Sequence, residues 1–175
     1  EVPPTEKNIE TSKKGQYRIK DNFLAFWFRF VYPMRSFIES DHPEIAMTKL
    51  KTGFIPNHVG YVYEDICRQK MWELNAQGKL PFLFDRVGRW WGGKDTEIDI
   101  VAIDTTDRSK IIFGECKFHQ NVPMQLSELH QLKEKAAVVP WGNANRDEYF
   151  ALFCISGYSE DLQQLAQEDS HLLLM

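Results

Sequence analysis

Residues 97–118 read EIDIVAIDTTDRSKIIFGECKF. Two runs rich in Ile and Val, 97–103 and 110–118, flank a polar turn from Asp104 to Ser109, the pattern of an antiparallel hairpin. Alternate strand residues share a face, so Asp99 is expected beside Val101 and Ile103, and Glu115 and Lys117 beside Ile111 and Phe113. The opposite faces, with Ile98, Ile100 and Ala102 in one strand and Ile112, Gly114, Cys116 and Phe118 in the other, are equally apolar. Such a hairpin belongs inside a sheet covered on both sides.

Into that interior the sequence places two carboxylates and an ammonium. A buried charge without a partner costs several kcal/mol or neutralises itself. One partner is internal, a structural cluster of Asp99, Glu115 and Lys117. The other is a divalent cation, Mg²⁺ or Mn²⁺, bound by the hard oxygens of Asp99 and Glu115 and the backbone carbonyl of Cys116, with Lys117 left to face a water or a phosphate.

An Asp, fifteen intervening residues and then Glu115-Cys116-Lys117 on the next strand resembles the PD-(D/E)XK nuclease superfamily. The resemblance implies a metal-dependent phosphodiesterase acting on DNA, with Asp99, Glu115 and Lys117 catalytic. It also nominates Glu64, on the helix before the first core strand, as a further carboxylate, and Gln125, on the helix after the Glu-x-Lys strand, as a substrate contact. For Glu64 the competing reading is a boundary residue paired to Arg68 one turn on.

The chain has 175 residues with 43% hydrophobic content, enough for one main core. It opens at Glu1 without an initiator Met and reads as part of a longer protein. No signal peptide and no apolar run near twenty residues is present, so no membrane association is expected. Cys67, Cys116 and Cys154 lack metal or disulfide spacing and suit a reducing, cytoplasmic setting. The net charge of -4 excludes a chain coated for nucleic acid. A phosphate-binding surface must therefore be local, drawn from Lys13, Lys14, Lys79, Arg86, Arg89, Lys94 and Lys117, with Arg89 the foremost phosphate contact.

Along the chain, residues 1–20 read as a polar linker, and Asp21 caps a helix from Asn22 to Tyr32 rich in Phe and Trp. Its aromatic surface exceeds one face, so it is expected to pack in a core, between layers or against a neighbouring domain, the competing reading being a base-stacking platform. Residues 36–58 read as a short helix and a loop. A helix follows over 59–77 with Gly78 as its C-cap, then a strand from Leu80 to Trp91 with Trp90 and Trp91 sealing an edge. After the hairpin come a helix over 125–139, a buried strand over 148–155, a helix from Ser159 to Gln167 and a short edge strand over 171–175.

The segment YRIKDNFLAFWFRFVYP (17–33), followed downstream by GRWW and EIDIVAI, resembles the C-terminal domain of archaeal-type P-loop, AAA-like ATPases, a domain long labelled as of unknown function. That resemblance implies that residues 1–20 end a winged-helix module, that 21–58 form a helical extension and that 59–175 form the nuclease-like domain. It implies as partners the ATPase and winged-helix domains of the full-length protein. No phosphate-binding Gly-x-x-x-x-Gly-Lys-Ser/Thr occurs here. The expected fold is a three-layer α/β/α sandwich around a central mixed sheet, a restriction-endonuclease-like core behind an aromatic-rich helical segment. The competing function is a catalytically silent DNA- or protein-binding module regulating its ATPase, and homodimerisation is left open.

Overall fold

In the computed structural model, which describes residues 1–93, 95–143 and 145–175, five strands form one open mixed sheet in the order β1-β2-β3-β4-β5. They are β1 (Arg86–Gly92), β2 (Thr96–Ile103), β3 (Lys110–Lys117), β4 (Asp147–Cys154) and β5 (Leu172–Leu174). Strands β1, β2 and β3 run antiparallel, while β3, β4 and β5 are parallel. The parallel pairs need crossovers, supplied by α5 (Leu126–Ala136) and α6 (Glu160–Glu168). The expected hairpin is thus present.

Alternation splits the apolar side chains between two cores. On one face Val101, Ile103, Ile111, Phe113 and Leu152 pack with Leu129 and Leu132 of α5 and Leu162 of α6. On the other, Ile100, Ala102, Ile112 and Phe153 pack with Cys67 and Met71 of α4 (Gly60–Ala76). The β2–β3–β4 centre is therefore covered on both sides, as its near-continuous apolar strands require.

Helix α4 ends at Gly78, whose φ of 64° suits a residue without Cβ, and the Lys79 N–H donates to the Leu74 carbonyl at 3.0 Å. The Asn75 amide then clamps the next segment, accepting from the Phe84 N–H and donating to the Phe84 carbonyl, both at 3.0 Å. This side-chain bridge occupies the Phe84 backbone groups that a strand partner would use. The strand expected from Leu80 begins only at Arg86 for that reason.

Residues 1–20 are no free linker. The Trp90 indole donates to the Thr5 hydroxyl at 3.1 Å, Arg86 donates to the Glu6 carbonyl at 2.9 Å and the Trp91 indole donates to the Lys14 carbonyl at 3.1 Å. The segment lies against β1, an edge strand of the kind proteins protect from further pairing.

Residues 22–59 are helical nearly throughout. Helix α1 (Asn22–Phe26), capped by the Asp21 carboxylate, runs through a wider π-type turn (Trp27–Val31), and α2 (Arg35–Glu39) and α3 (Pro43–Phe54) follow. The loop expected within 36–58 is replaced by α3 and a second wide turn, Ile55–Val59, leading into α4. Phe26 and Phe30 meet Phe54 edge to face, with ring centroids 5.9 and 6.1 Å away. The expected burial of the aromatic helix does not occur within the described residues: Phe23, Trp27, Phe28 and Tyr32 are all exposed. Its rings outnumber what α3 and His58 of the Ile55–Val59 turn can cover. No helix among the described residues is long and apolar enough to cross a membrane.

A Cβ at Gly114 would lie 2.8 Å from the Ile100 Cβ and 3.2 Å from the Ala151 carbonyl oxygen, so glycine is what lets β2, β3 and β4 close up here. Gly114→Ala is expected to cost about 1–3 kcal/mol in urea unfolding. Gly15→Ala, whose Cβ would meet nothing nearer than 3.9 Å, is expected to stay within about 0.5 kcal/mol of wild type.

Candidate functional site

Strict alternation fails at Asp99. Gly88 faces Val101 but Trp90 faces Ile98, so Asp99 and Ile100 together oppose Arg89 on β1. This β-bulge sends Ile98 into the core with Val101, on the face opposite Ile100. Beyond it the β2–β3 ladder stops at the Ile100–Gly114 pair. In the gap the Asp99 carboxylate accepts the Cys116 N–H at 2.8 Å, where a ladder carbonyl would otherwise sit. Asp99 thus does not stand in line with Val101 and Ile103, as uniform alternation predicts. It reaches between the strands, which the extra residue of the bulge permits.

Glu115 keeps its expected parity and is 5% exposed. Its carboxylate receives Lys117 at 2.6 Å and, from α5, Lys135 at 3.0 Å. Glu64 comes from the first turns of α4, with Arg89 Nε at 3.3 Å and Arg68 Nη1 at 3.6 Å. Neither guanidinium is aligned for a hydrogen bond, and the buried Glu64 Oε2 has no hydrogen-bond partner. The positive charges offset its own without satisfying its lone pairs. Arg68 also donates to the Asp99 carbonyl at 3.0 Å, tying α4 to the bulge.

Asp99 senses the Glu115 charge, and Glu64 senses Asp99. Burial, reinforced by the Glu115 charge, pushes Asp99 up to about 6 against the pull of the Cys116 N–H and of Lys117 and Lys135. Burial, reinforced by Asp99, pushes Glu64 up to about 7 against the pull of Arg89 and Arg68. Lys117 is held above its usual range despite burial, chiefly by the Glu115 charge. Asp99 thus bears the repulsion of Glu115, and Glu64 that of Asp99, on top of their own desolvation.

The donor set suits a hard cation: three carboxylates and the Cys116 carbonyl offer only oxygen, and the Glu64 oxygen lacks a partner. As the side chains stand, no three His, Cys, Asp or Glu among the described residues are grouped to enclose an ion. Both Glu115 oxygens instead carry lysines, so occupancy requires Lys117 to swing away from Glu115.

Other sequence candidates fare differently. Arg89 is 13% exposed and paired to Glu64 and Glu97, which makes it a counter-charge of the carboxylate site. The Gln125 amide donates to the Pro123 carbonyl at 2.8 Å, and its backbone N–H is capped by Glu128, so it serves the start of α5. Lys94 lies outside the described residues. Lys135 was not nominated from sequence; its signal was its place beside Leu132 and Ala136, at the border of the α5 apolar stripe.

The sequence profile of the DUF234 family, described as archaeal and bacterial proteins of unknown function, matches residues 27–136, and the chain belongs to that family. A relative from Methanocaldococcus jannaschii, named an uncharacterized protein, is 35% identical over 142 residues, covering 81% of this chain and 31% of its own length. The chain thus spans about a third of that relative. No solved structure is significantly similar to the chain.

The folded chain holds the Asp99 proton longer than the unfolded chain does. The contribution of this group to stability is therefore complete below about 3.8 and is lost as the pH rises through about 6. At pH 8 the loss is on the order of 3 kcal/mol. Asp99→Asn keeps an acceptor for the Cys116 N–H and removes the charge. In chelator, its melting temperature is expected to exceed that of wild type by several degrees at pH 8, with the gap closing towards pH 4 in a thermal-melt series.

Proposed function

We propose that this DUF234 domain is a metal-dependent phosphodiesterase of the PD-(D/E)XK kind, acting on DNA. The observation that supports this most is the bulge where the sheet opens, at which Asp99 lies within electrostatic reach of Glu115 and of Glu64 and one Glu64 oxygen is buried and unpartnered. Three elements, α4, β2 and β3, each contribute one acid, and the cores on both faces of the sheet are in keeping with a three-layer α/β/α arrangement.

Asp99, Glu115 and the Cys116 carbonyl would hold Mg²⁺ or Mn²⁺, with Glu64 serving that ion or a second one. A bound cation supplies a water ionised near neutral pH and charge compensation for the scissile phosphate. The protein groups act around it. Lys117, released from Glu115, orients the attacking water and meets the negative charge that grows on the phosphate oxygens. Lys135 stays paired with Glu115. Arg68 and Arg89 keep Glu64 from repelling an anionic substrate. The Cys116 N–H fixes the Asp99 carboxylate in place before any ligand arrives, which lowers the ordering cost of binding. In the longer polypeptide, as the resemblance to ATPase C-terminal domains implies, cleavage would be coupled to an upstream nucleotide-driven module.

One observation favours the competing role of a silent binding module: both Glu115 oxygens are engaged by lysines. The two readings part experimentally. Asp99→Ala and Glu115→Ala are expected to abolish Mn²⁺-dependent nicking of supercoiled and branched DNA, and Lys117→Ala to slow it at least a hundredfold. Isothermal titration with Mn²⁺ should show one-site binding that Asp99→Asn removes. Equal nicking by all variants, or no heat of binding in wild type, supports the silent module.

A further inference from the structure

A cleft of about 440 Å³ opens beside the carboxylate site, between residues 16–19, the α1 region and the start of α4. That volume lies within the range of small-ligand pockets. Arg89 is one of its lining residues: the same guanidinium that pairs with Glu64 stands 5.0 Å from the centroid of the Tyr61 ring, which also lines the cleft. The cleft and the carboxylates therefore share one residue.

Its other walls carry rings and guanidiniums together with the carboxylates of Glu1 and Asp65. Tyr17 is fully exposed and forms no ring pair among the described residues, and Phe28 is half-exposed with its ring tilted against Tyr32 at 5.8 Å between centroids, so ring surface on both stands open to a ligand. Arg29 donates to the Asn57 side chain at 3.3 Å and, among the described residues, has no carboxylate partner. Arg18 is already neutralised by Glu1 and Asp65 and serves to fix the 16–19 segment against α4.

Exposed ring faces together with an unneutralised guanidinium match a nucleotide, the ring for the base and the cation for the phosphate. A base inside duplex DNA has both faces covered by its neighbours and cannot reach such rings. The net charge of -4 also speaks against broad tracking of a duplex backbone. We propose that the cleft takes one or two unpaired nucleotides of a DNA strand leaving the duplex beside the carboxylate site, with Tyr17 and Phe28 stacking on the bases and Arg29 meeting the phosphate. This rests on the phosphodiesterase reading for its setting, and it makes flapped or frayed ends the substrate class.

The test is fluorescence anisotropy in EDTA, where no cleavage occurs, with a fluorescein-labelled duplex carrying a three-nucleotide single-stranded flap and the same duplex blunt-ended. Wild type is expected to bind the flap at least tenfold more tightly, and abasic flap residues to remove most of that margin. The double variant Tyr17→Ala/Phe28→Ala, and separately Arg29→Ala, should each weaken flap binding about fivefold or more while leaving the blunt duplex unchanged. Their exposure lets thermal melts verify that both variants stay folded. Asp99→Asn should keep the full flap preference. Equal binding of flap and blunt DNA by wild type overturns the proposal, as does an unaltered preference in the folded cleft variants. Should Asp99→Ala nick DNA as fast as wild type while the flap preference persists, the phosphodiesterase reading fails and the cleft assignment stands.

Discussion

A single backbone N–H, that of Cys116, takes a side-chain carboxylate where a strand partner would normally provide a carbonyl. That hydrogen bond from β3 to Asp99 is made possible by the bulge opposite Arg89, and the local architecture follows from it. The ladder between β2 and β3 stops at Ile100 and Gly114, and in the gap Asp99 stands within reach of the charges of Glu115 on β3 and Glu64 on α4. Without the bulge Asp99 would stand in register with Val101 and Ile103, against the Leu-rich face of α5. A lone carboxylate there would have to be neutral.

Each side of the gap has its own counter-charges. Glu115 is attended by Lys117 and Lys135 from the α5 side, Glu64 by Arg68 and Arg89 from the α4 side, and Asp99 lies between them with only a neutral donor. Four cations for three acids keep the ensemble tolerable in a buried setting, yet burial still raises Asp99 and Glu64 towards neutrality. Replacing such charges by uncharged residues of like shape commonly stabilises a protein, so these acids are carried at a cost to the fold. The surrounding sheet can bear the cost because its two cores are tightly closed, down to the missing Cβ at Gly114.

Much of this was legible in the order of residues. Two β-rich runs with a polar turn gave the hairpin, apolar strands on both faces gave a covered mixed sheet, and Gly78 marked the end of α4. That Asp99 and Glu115 lie on paired strands followed from the order of the two runs. What could not be read was geometry that depends on register across strands. A bulge has no signature when Ile98 and Ile100 are equally apolar, so the re-aiming of Asp99 and the switch of Ile98 between cores were invisible. The Asn75 clamp on Phe84 likewise joins residues whose spacing carries no pattern, and it shortened the first strand. The tail over 1–20 was taken for a linker because polar composition conceals backbone carbonyls, and it is those carbonyls that Arg86 and Trp91 hold. Lys135 was missed because a lysine at the border of a helical stripe looks like any solvated one.

The most direct test is a crystal of the domain soaked in Mn²⁺ at pH 8 and measured at the manganese absorption edge. The account predicts an anomalous peak among Asp99, Glu115 and Glu64, with the Lys117 ammonium displaced from Glu115. Absence of a peak, with Lys117 and Lys135 both still on Glu115, would contradict it and leave the acids as an internal ion-pair cluster.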